Sequence, residues 1–349
     1  MEKRDIKSMS FYELRDWLSQ FRQPAFRAGQ IFDWLHAKHA LRFSDMTNLP
    51  KSLAAQLDAE GYITVFSTRR KLVSKIDGTI KYLFELPDGE LVETVVMRYH
   101  HGLSACLSTQ VGCRMGCTFC ASTKAGFVRN LVPSEILEQL YAAQENLGER
   151  ISSVVLMGIG EPLDNYDNVM RFLSLLSDER GNSMSLRHVS LSTCGLVNQI
   201  DRLAEEKLGL TLSVSLHAPN DEIRQKTMPV SRRYPMEELL RSCRNYTEKT
   251  GRRISFEYAL IAGVNDSREC AAELAQRLTG MLCHVNLIPV NEIRETSFHR
   301  SGQGRVGEFQ SWLVERGINT TVRRTLGADI NAACGQLRRD NTKSEGGLS

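Results

Sequence analysis

The spacing of apolar residues separates a helical N-terminal part of the chain from a strand-rich remainder. Within the first 60 residues, apolar side chains recur every three or four positions, as at Ile31 and Leu35, which predicts amphipathic helices. From about residue 79 the apolar runs are short and β-rich and flank a Pro-Asp-Gly turn. We therefore predict a small helical domain over residues 1–75 and a linking β-hairpin over residues 76–98.

Short β-rich runs then alternate with amphipathic helical stretches. The helical stretches, such as Pro133–Leu147, Met236–Thr250 and Arg268–Leu278, can serve as the crossovers that parallel strands require. Six such units form a partial barrel, open on one side. We expect an α/β fold with a partial (βα)6 barrel over residues 99–337 and a polar, disordered tail over residues 338–349. The predicted strands are Leu103–Thr109, Ser153–Met157, His188–Thr193, Thr211–Leu216, Ser255–Leu260 and Val285–Pro289.

Composition is that of a globular protein in a reducing compartment. The 349 residues suffice for one large domain and a small one, and 42% apolar and 24% charged residues are ordinary values. No run approaches the roughly 18 apolar residues of a membrane span, and the charged N-terminus lacks the apolar core of a secretory signal. Four of the nine cysteines crowd into residues 106–120, which is not typical of a disulfide framework. We expect a cytoplasmic protein.

Positive charge is concentrated near the N-terminus. Residues 1–75 contain 13 Lys/Arg against 8 Asp/Glu, whereas the net charge of the whole chain is only +3. Such an excess favours contact with a polyanion such as RNA, although a solvated helical face explains it equally well. We expect the helical domain of residues 1–75 to be an accessory RNA-binding domain.

A Cys-x3-Cys-x2-Cys motif is the strongest chemical signal in the sequence, formed by Cys113, Cys117 and Cys120. Closed zinc sites and ordinary iron–sulfur cubanes use four protein ligands, so three thiolates leave one metal position open. The loop resembles that of the radical SAM superfamily, in which the open iron of a [4Fe–4S] cluster binds S-adenosylmethionine. The alternative is a zinc loop whose fourth ligand lies elsewhere.

Polar loops follow the predicted strands at the ends where barrel enzymes place their chemistry. They are Gly158–Pro162, Ser192–Gly195, Ser215–His217 and Asn286–Asn291. Glycine in such loops lets the backbone approach a ligand closely. Each loop alone is typical of a structural turn, and His217 alone would as readily be a core histidine. Together with the cysteine motif they predict a binding site for S-adenosylmethionine.

Two further cysteines lie in distinctive surroundings. Cys106 precedes the cysteine motif, and Cys334 lies in an Ala-Ala-Cys-Gly run near the C-terminus; each alone would be taken for a packed cysteine. With Gly-Ile-Gly-Glu-Pro, Ser-Leu-His-Ala-Pro-Asn-Asp, Val-Asn-Leu-Ile-Pro-Val-Asn and Asp-Ile-Asn-Ala-Ala-Cys-Gly-Gln-Leu, they resemble the RlmN family. These are radical SAM methyltransferases that act on carbon 2 of adenine in RNA. The resemblance extends from about Tyr12 to Leu337.

The resemblance implies a role for each matching residue. Cys113, Cys117 and Cys120 would bind the [4Fe–4S] cluster. The contacts to S-adenosylmethionine would be Gly160, Glu161, Ser192, Ser215, Leu216, His217 and Asn291. The catalytic residues would be Cys334, which carries the methyl group, Cys106, its partner thiol, and Glu93, the proton acceptor. The implied partners are 23S rRNA near the peptidyl transferase centre, tRNA beside the anticodon, and an external one-electron donor such as flavodoxin or ferredoxin. A monomer is expected.

The resemblance also implies a mechanism suited to an electron-poor aromatic carbon. One S-adenosylmethionine methylates Cys334, and the 5′-deoxyadenosyl radical from a second removes a hydrogen atom from that methyl group. The carbon radical adds to adenine and links protein to RNA. Cys106 then attacks the Cys334 sulfur, which forms a disulfide and releases the methylated base after proton loss.

Two other interpretations compete with this one. A related methyltransferase of adenine carbon 8 shares the cluster and both cysteines, but Pro162 follows the carbon 2 pattern, where that enzyme tends to have Ala. A zinc-stabilised RNA-binding module without catalysis would give a colourless protein that does not cleave S-adenosylmethionine.

Overall fold

The computed structural model describes residues 3–124, 126–290 and 298–332. The described helices are α1 (Phe11–Ser19), α2 (Phe26–His36), α3 (Lys51–Glu60), α4 (Pro133–Leu147), α5 (Tyr166–Ser177), α6 (Val197–Glu205), α7 (Asp221–Thr227), α8 (Met236–Thr250), α9 (Arg268–Leu278) and α10 (Gln303–Val314). None of these described helices combines the length and apolar content needed to cross a bilayer.

The described strands are β1 (Arg4–Asp5), β2 (Gly61–Tyr62), β3 (Ser67–Val73), β4 (Ile80–Glu85), β5 (Leu91–Tyr99), β6 (Gly102–Cys106), β7 (Gln110–Gly112), β8 (Phe127–Asn130), β9 (Ile151–Leu156), β10 (Val189–Thr193), β11 (Thr211–Ser215), β12 (Ile254–Leu260), β13 (Cys283–Pro289) and β14 (Thr320–Val322). Ten of these described strands form the main sheet, in the order β14-β13-β12-β11-β10-β9-β6-β5-β4-β3.

The parallel half of this sheet confirms the predicted barrel strands. The six predicted runs correspond to β6, β9, β10, β11, β12 and β13, and neighbours in that series pair in parallel. The three predicted crossover helices match α4, α8 and α9 residue for residue. A short seventh parallel strand, β14, pairs with β13 at one edge. Because β14 and β3 are both edge strands in the described sheet, the barrel is partial, as expected.

The other half of the sheet is antiparallel and begins earlier in the chain than predicted. β4 and β5 form the expected hairpin, but β5 continues into antiparallel pairing with the first barrel strand, β6. Ser67–Val73, which the sequence placed in the helical domain, is β3 and pairs with β4. Its side chains are almost all exposed, so it lacks the alternation of apolar and polar residues that predicts a strand.

The helical part contains α1, α2 and α3, as predicted. A reciprocal capping box starts α1: the Glu13 amide donates to Ser10 Oγ, and the Ser10 amide donates to the Glu13 carboxylate. The buried face of α1 carries Leu14, Trp17 and Leu18, which belong to the same hydrophobic cluster as the barrel core. The helices therefore pack onto the barrel as part of one core.

A buried ion pair joins the helical part to the barrel. Lys7 Nζ donates to Glu138 Oε2 on α4 and to the Thr64 carbonyl, both at 2.6 Å. The Lys7 and Glu138 side chains are 1% and 3% exposed. Removal of either partner leaves an uncompensated charge in the core.

Candidate active site

The cysteine loop between β7 and β8 is closed at its base by tight backbone contacts. β7 and β8 pair antiparallel, and the Cys113 amide donates to the Gly126 carbonyl. Gly112 has φ +77°, and a Cβ there would lie 1.7 Å from the Gly126 oxygen, so only glycine fits. The Thr118 amide donates to the Thr227 carbonyl at 2.9 Å, which fastens the loop to the end of α7.

The thiols of the motif share one cavity, the cluster cleft, of about 290 Å³. Cys113, Cys117 and Cys120 all line it, and none forms a disulfide within the described residues. Burial raises the pKa of Cys113 to about 12. Burial and the neighbouring thiols also raise the pKa of Cys117. A bound metal group offsets this cost of ionisation because it stabilises thiolates.

The arrangement of the donors fits a multi-iron cluster. In the described part of the chain, no three His, Cys, Asp or Glu side chains are placed to hold a single metal ion. A cubane cluster does not need three side chains around one ion, because each thiolate binds a different iron. Three cysteines on one loop therefore fit a [4Fe–4S] cluster with one iron free of protein ligands.

The glycine loop after β9 lies directly against the end of β6. A Cβ at Gly158 would lie 2.5 Å from the Leu107 carbonyl oxygen. Gly160 has φ +110°, and a Cβ there would lie 2.7 Å from Gln110 Cβ. Both glycines are needed for this close approach, which forms one wall of the cleft.

Glu161 ties two strand-end loops together. Its carboxylate is buried and accepts hydrogen bonds from the Leu163 amide at 3.1 Å and the Cys194 amide at 2.7 Å. Burial raises the pKa of Glu161, and the bonds from these amides act in the opposite direction. The loops after β9 and β10 are thus held together at the wall of the cleft.

His217 lies in the cleft as a neutral donor. Burial and the Arg224 guanidinium lower the pKa of His217 to about 3. The Ala259 amide donates to His217 Nδ1 at 2.9 Å, which leaves the proton on Nε2. Its φ is +55°, an uncommon conformation for a non-glycine residue, and its ring meets Phe119 of the cysteine loop edge-on at 4.9 Å.

The structure brings most of the predicted cofactor contacts together. Of the predicted contacts, those that line the cluster cleft together with the three cysteines are Gly160, Glu161, Ser192, Ser215 and His217. Leu216 differs, because its side chain is buried in the core and its amide donates to the Glu257 carbonyl at 3.0 Å. Asn291 lies outside the described residues.

Several cleft residues were missed from the sequence. Met115, Met157, Glu257 and Arg323 also line the cluster cleft. Glu257 is buried on β12, where it accepts hydrogen bonds from Asn286 at 2.8 Å and from a serine at 3.0 Å. An acidic residue inside the apolar β12 run was the available signal for it.

Cys106 lies in a second, adjoining cavity of about 170 Å³, the Cys106 cavity. Met157, Ile288 and Arg323 line both cavities, so the two are neighbours. Ala332 lines the Cys106 cavity and packs against the apolar cluster that contains Cys106. Cys334 lies outside the described residues.

Glu93 lies on the same face of the sheet as Cys106. Val95 pairs with Cys106 across β5 and β6, and Glu93 is two residues away on β5, so their side chains share a face. Glu93 Oε2 forms an ion pair with Lys81 Nζ at 2.9 Å, and these side chains are 2% and 0% exposed. Glu93 is not among the residues that line either cavity.

Comparison with known proteins gives matches over almost the whole chain. Residues 107–275 match the radical SAM superfamily, and residues 4–63 match the ribosomal RNA large subunit methyltransferase N-terminal domain. The chain is 55% identical over 344 residues to the probable dual-specificity RNA methyltransferase RlmN of Alkaliphilus oremlandii, covering 99% of this chain and 100% of that protein. It is 53% identical over 337 residues to the protein of the same name from Clostridium novyi, covering 97% and 98%.

A crystal structure of a radical SAM methyltransferase from Sphaerobacter thermophilus superimposes with a TM-score of 0.91. It is 44% identical in sequence, and the match covers 95% of this chain and 98% of that one.

Proposed function

The chain belongs to the RlmN family of radical SAM RNA methyltransferases, and we propose that it methylates carbon 2 of adenosine in 23S rRNA and in tRNA. The substrate positions are those that the family resemblance implies, near the peptidyl transferase centre and beside the anticodon. The cluster cleft is the observation that best supports this proposal. There, three thiols of one loop meet the polar ends of successive parallel strands. This is the arrangement expected for a cluster and S-adenosylmethionine side by side.

The residues of the cleft divide between the two cofactors. Cys113, Cys117 and Cys120 would hold the [4Fe–4S] cluster. When bound, the cluster supplies the electron that splits S-adenosylmethionine into methionine and a 5′-deoxyadenosyl radical. Glu161 offers a carboxylate to the cofactor's ammonium group, and His217 offers a neutral N–H donor. The remaining contacts would come from Gly160, Ser192, Ser215, the Leu216 backbone and Asn291.

Two cysteines carry the transferred carbon and release it. The Cys334 sulfur takes the methyl group of one S-adenosylmethionine, forming a thioether as the sulfonium bond breaks. Once that carbon is joined to adenine, the ring must give up its proton and, to the oxidised cluster, the unpaired electron left by the radical addition. The Cys106 thiolate then attacks the Cys334 sulfur. An S–S bond forms, the S–C bond breaks, and the methylene carbon, which keeps the electron pair, takes up a proton to become the methyl group. The position of Ala332 at the Cys106 cavity supports this pairing, because two further residues span at most about 7 Å.

Glu93 is the proposed acceptor of the proton lost from the adenine ring. It shares a face of the sheet with Cys106, so a base held beside Cys106 lies over that face. Its buried ion pair with Lys81 keeps the carboxylate in a fixed position.

RNA is proposed to contact β3 and the turn that follows it. Residues 67–75 contain four Lys/Arg and no Asp/Glu, whereas residues 1–66 contain nine against eight. The basic excess thus lies on an edge strand of the main sheet and in its turn. Arg70 is exposed. It pairs with Leu83, which in turn pairs with Glu93, so Arg70 lies on the face of the sheet that carries Glu93 and Cys106.

Several finer features follow from the same proposal. Reduction of the cluster needs an external one-electron donor such as flavodoxin or ferredoxin. The cysteines of the described residues are free thiols, and these thiols and the RNA substrates fit a cytoplasmic enzyme. The chain alone supplies every proposed catalytic residue, which fits a monomer.

Nucleoside analysis of methylated RNA tests the proposal. Anaerobically purified protein, given a reductant, S-adenosylmethionine and unmethylated rRNA or tRNA, should yield 2-methyladenosine on mass spectrometry. Cys117→Ala should lose both the brown absorbance of the cluster and the product, since two thiolates cannot hold a cubane. Formation of 8-methyladenosine would overturn the assigned position. A colourless wild-type protein that binds zinc would overturn the radical mechanism.

A further inference from the structure

The turn between β3 and β4 holds the C-terminal segment Gly327–Ala332 through a set of polar contacts. Asp77 Oδ2 accepts a hydrogen bond from the Gly327 amide at 2.8 Å. Asp329 accepts one from Ser74 Oγ at 2.6 Å and one from the Lys75 amide at 2.9 Å. These bonds also hold the pKa of Asp329 below its ordinary value. The two segments are about 250 residues apart in the chain, so the contacts are purely tertiary.

Lys81 extends the same set of contacts into the core. Its Nζ donates to the Asn331 carbonyl at 2.9 Å and forms the buried ion pair with Glu93. One ammonium group thus joins the backbone of the C-terminal segment to the proposed proton acceptor.

The backbone of the C-terminal segment is bent to fit this turn. Gly327 has φ +62°, and a Cβ there would lie 2.5 Å from Ala332 Cβ and 3.1 Å from a Thr79 methyl group. Asn331 has φ +46°, which few residues other than glycine adopt. Ala332 then reaches the Cys106 cavity, which Thr79 of the turn also lines.

We propose that Ser74, Asp77 and Lys81 are positioning residues that hold the segment 327–332 so that Cys334 can meet Cys106. The inference rests on the proposed roles of the two cysteines and adds how one is brought to the other. The β3–β4 turn is then part of the catalytic apparatus, although none of its residues reacts. Fixing the chain two residues before Cys334 raises the effective concentration of its thiol at Cys106.

The pairing of the two thiols measures this effect without any turnover. The full-length protein with its cluster is equilibrated anaerobically in glutathione redox buffers, and the Cys106–Cys334 disulfide is quantified by peptide mass spectrometry. Asp329→Ala removes two hydrogen bonds at an exposed side chain, so the fold should persist. We expect the effective concentration of the pair to fall about tenfold. Asp329→Asn, which keeps one acceptor oxygen, should fall between this variant and the wild type.

Asp167→Ala is the matched control. It also removes an exposed carboxylate, but Asp167 pairs with Arg202, away from the C-terminal segment. It should leave the disulfide equilibrium unchanged. Equal pairing in the wild type, in Asp329→Ala and in Asp77→Ala, which removes the bond to the Gly327 amide, would overturn the positioning role alone. A wild-type protein in which the two thiols never pair would overturn the two-cysteine assignment itself.

Discussion

Glu161 and His217 each serve both the fold and the proposed site. Glu161 uses its carboxylate to join two loops, and His217 accepts a backbone hydrogen bond in a strained conformation. The sequence could indicate these residues through the motifs that contain them. It could not show that burial and a neighbouring guanidinium hold His217 neutral, because that depends on the packing of Arg224 from another element.

Replacing Glu161 by Gln separates its two roles. The amide oxygen can still accept the hydrogen bond from the Cys194 amide, so the two loops should stay joined. The bond from the Leu163 amide and the charge opposite the cofactor's ammonium group are lost. We expect S-adenosylmethionine to bind about tenfold more weakly, the scale of one charge-assisted hydrogen bond. Asp167→Asn makes the same charge change at an exposed side chain that pairs with Arg202 and does not line the cleft, so it should bind normally. Equal affinities by equilibrium dialysis would refute the contact.

The buried, neutral state of His36 can be tested through the pH dependence of the unfolding free energy. Burial, reinforced by Lys7, lowers its pKa to about 3, so below pH 6.5 the unfolded chain binds a proton that the folded chain excludes. Stability therefore falls as pH falls through that window. Between pH 7.5 and 5.5, His36→Leu should lose about 1 kcal/mol less of its unfolding free energy than the wild type does. Urea titrations at the two pH values give the difference; matching losses would contradict the neutral, buried state.

At the scale of elements, the central strands were predictable and the edge strands were not. The barrel strands are buried between helices and appear in the sequence as continuous β-rich runs. β14 has only three residues, and β3 is exposed along nearly its whole length, so neither has a clear hydrophobic pattern. Because the sequence does not reveal β3 as a strand, its basic residues were assigned to a helical domain.

The position of the RNA contact can be tested with paired charge removals. Arg70→Gln with Lys75→Gln should weaken RNA binding and reduce the salt dependence of the affinity by about one to two phosphate contacts. Arg22→Gln with Lys51→Gln removes two exposed charges from the helical part and should change little. Filter binding at several salt concentrations measures both. A larger effect from the second pair would return the RNA contact to the helices.

At the scale of the whole molecule, one hydrophobic core spans the helical part and the barrel. A deletion of residues 1–75 would remove β3 and Lys7 together, so it cannot isolate an RNA-binding role. The sequence predicted two domains because it shows where the spacing of apolar residues changes from helical to strand-like. It does not show which surfaces of the two parts pack together.

The buried Lys7–Glu138 pair measures how far the two parts depend on each other. Lys7→Met leaves the Glu138 charge buried without its partner and should cost about 3 kcal/mol of unfolding free energy. Adding Glu138→Leu removes that charge and should recover most of the loss. Urea denaturation of the single and double variants provides the comparison. If the single variant is as stable as wild type, the two parts are joined more loosely than the core indicates.

Cys106 and Cys334 are proposed to perform different steps of one reaction. Cys106→Ala should still add the carbon of methylated Cys334 to adenine but cannot release it, so a covalent protein–RNA adduct should accumulate as a nuclease-sensitive band on a denaturing gel. Adding Cys334→Ala should abolish that band, while either variant retains its cluster. Normal RNA methylation by Cys106→Ala, or an adduct that persists without Cys334, would contradict the separate roles of the two cysteines.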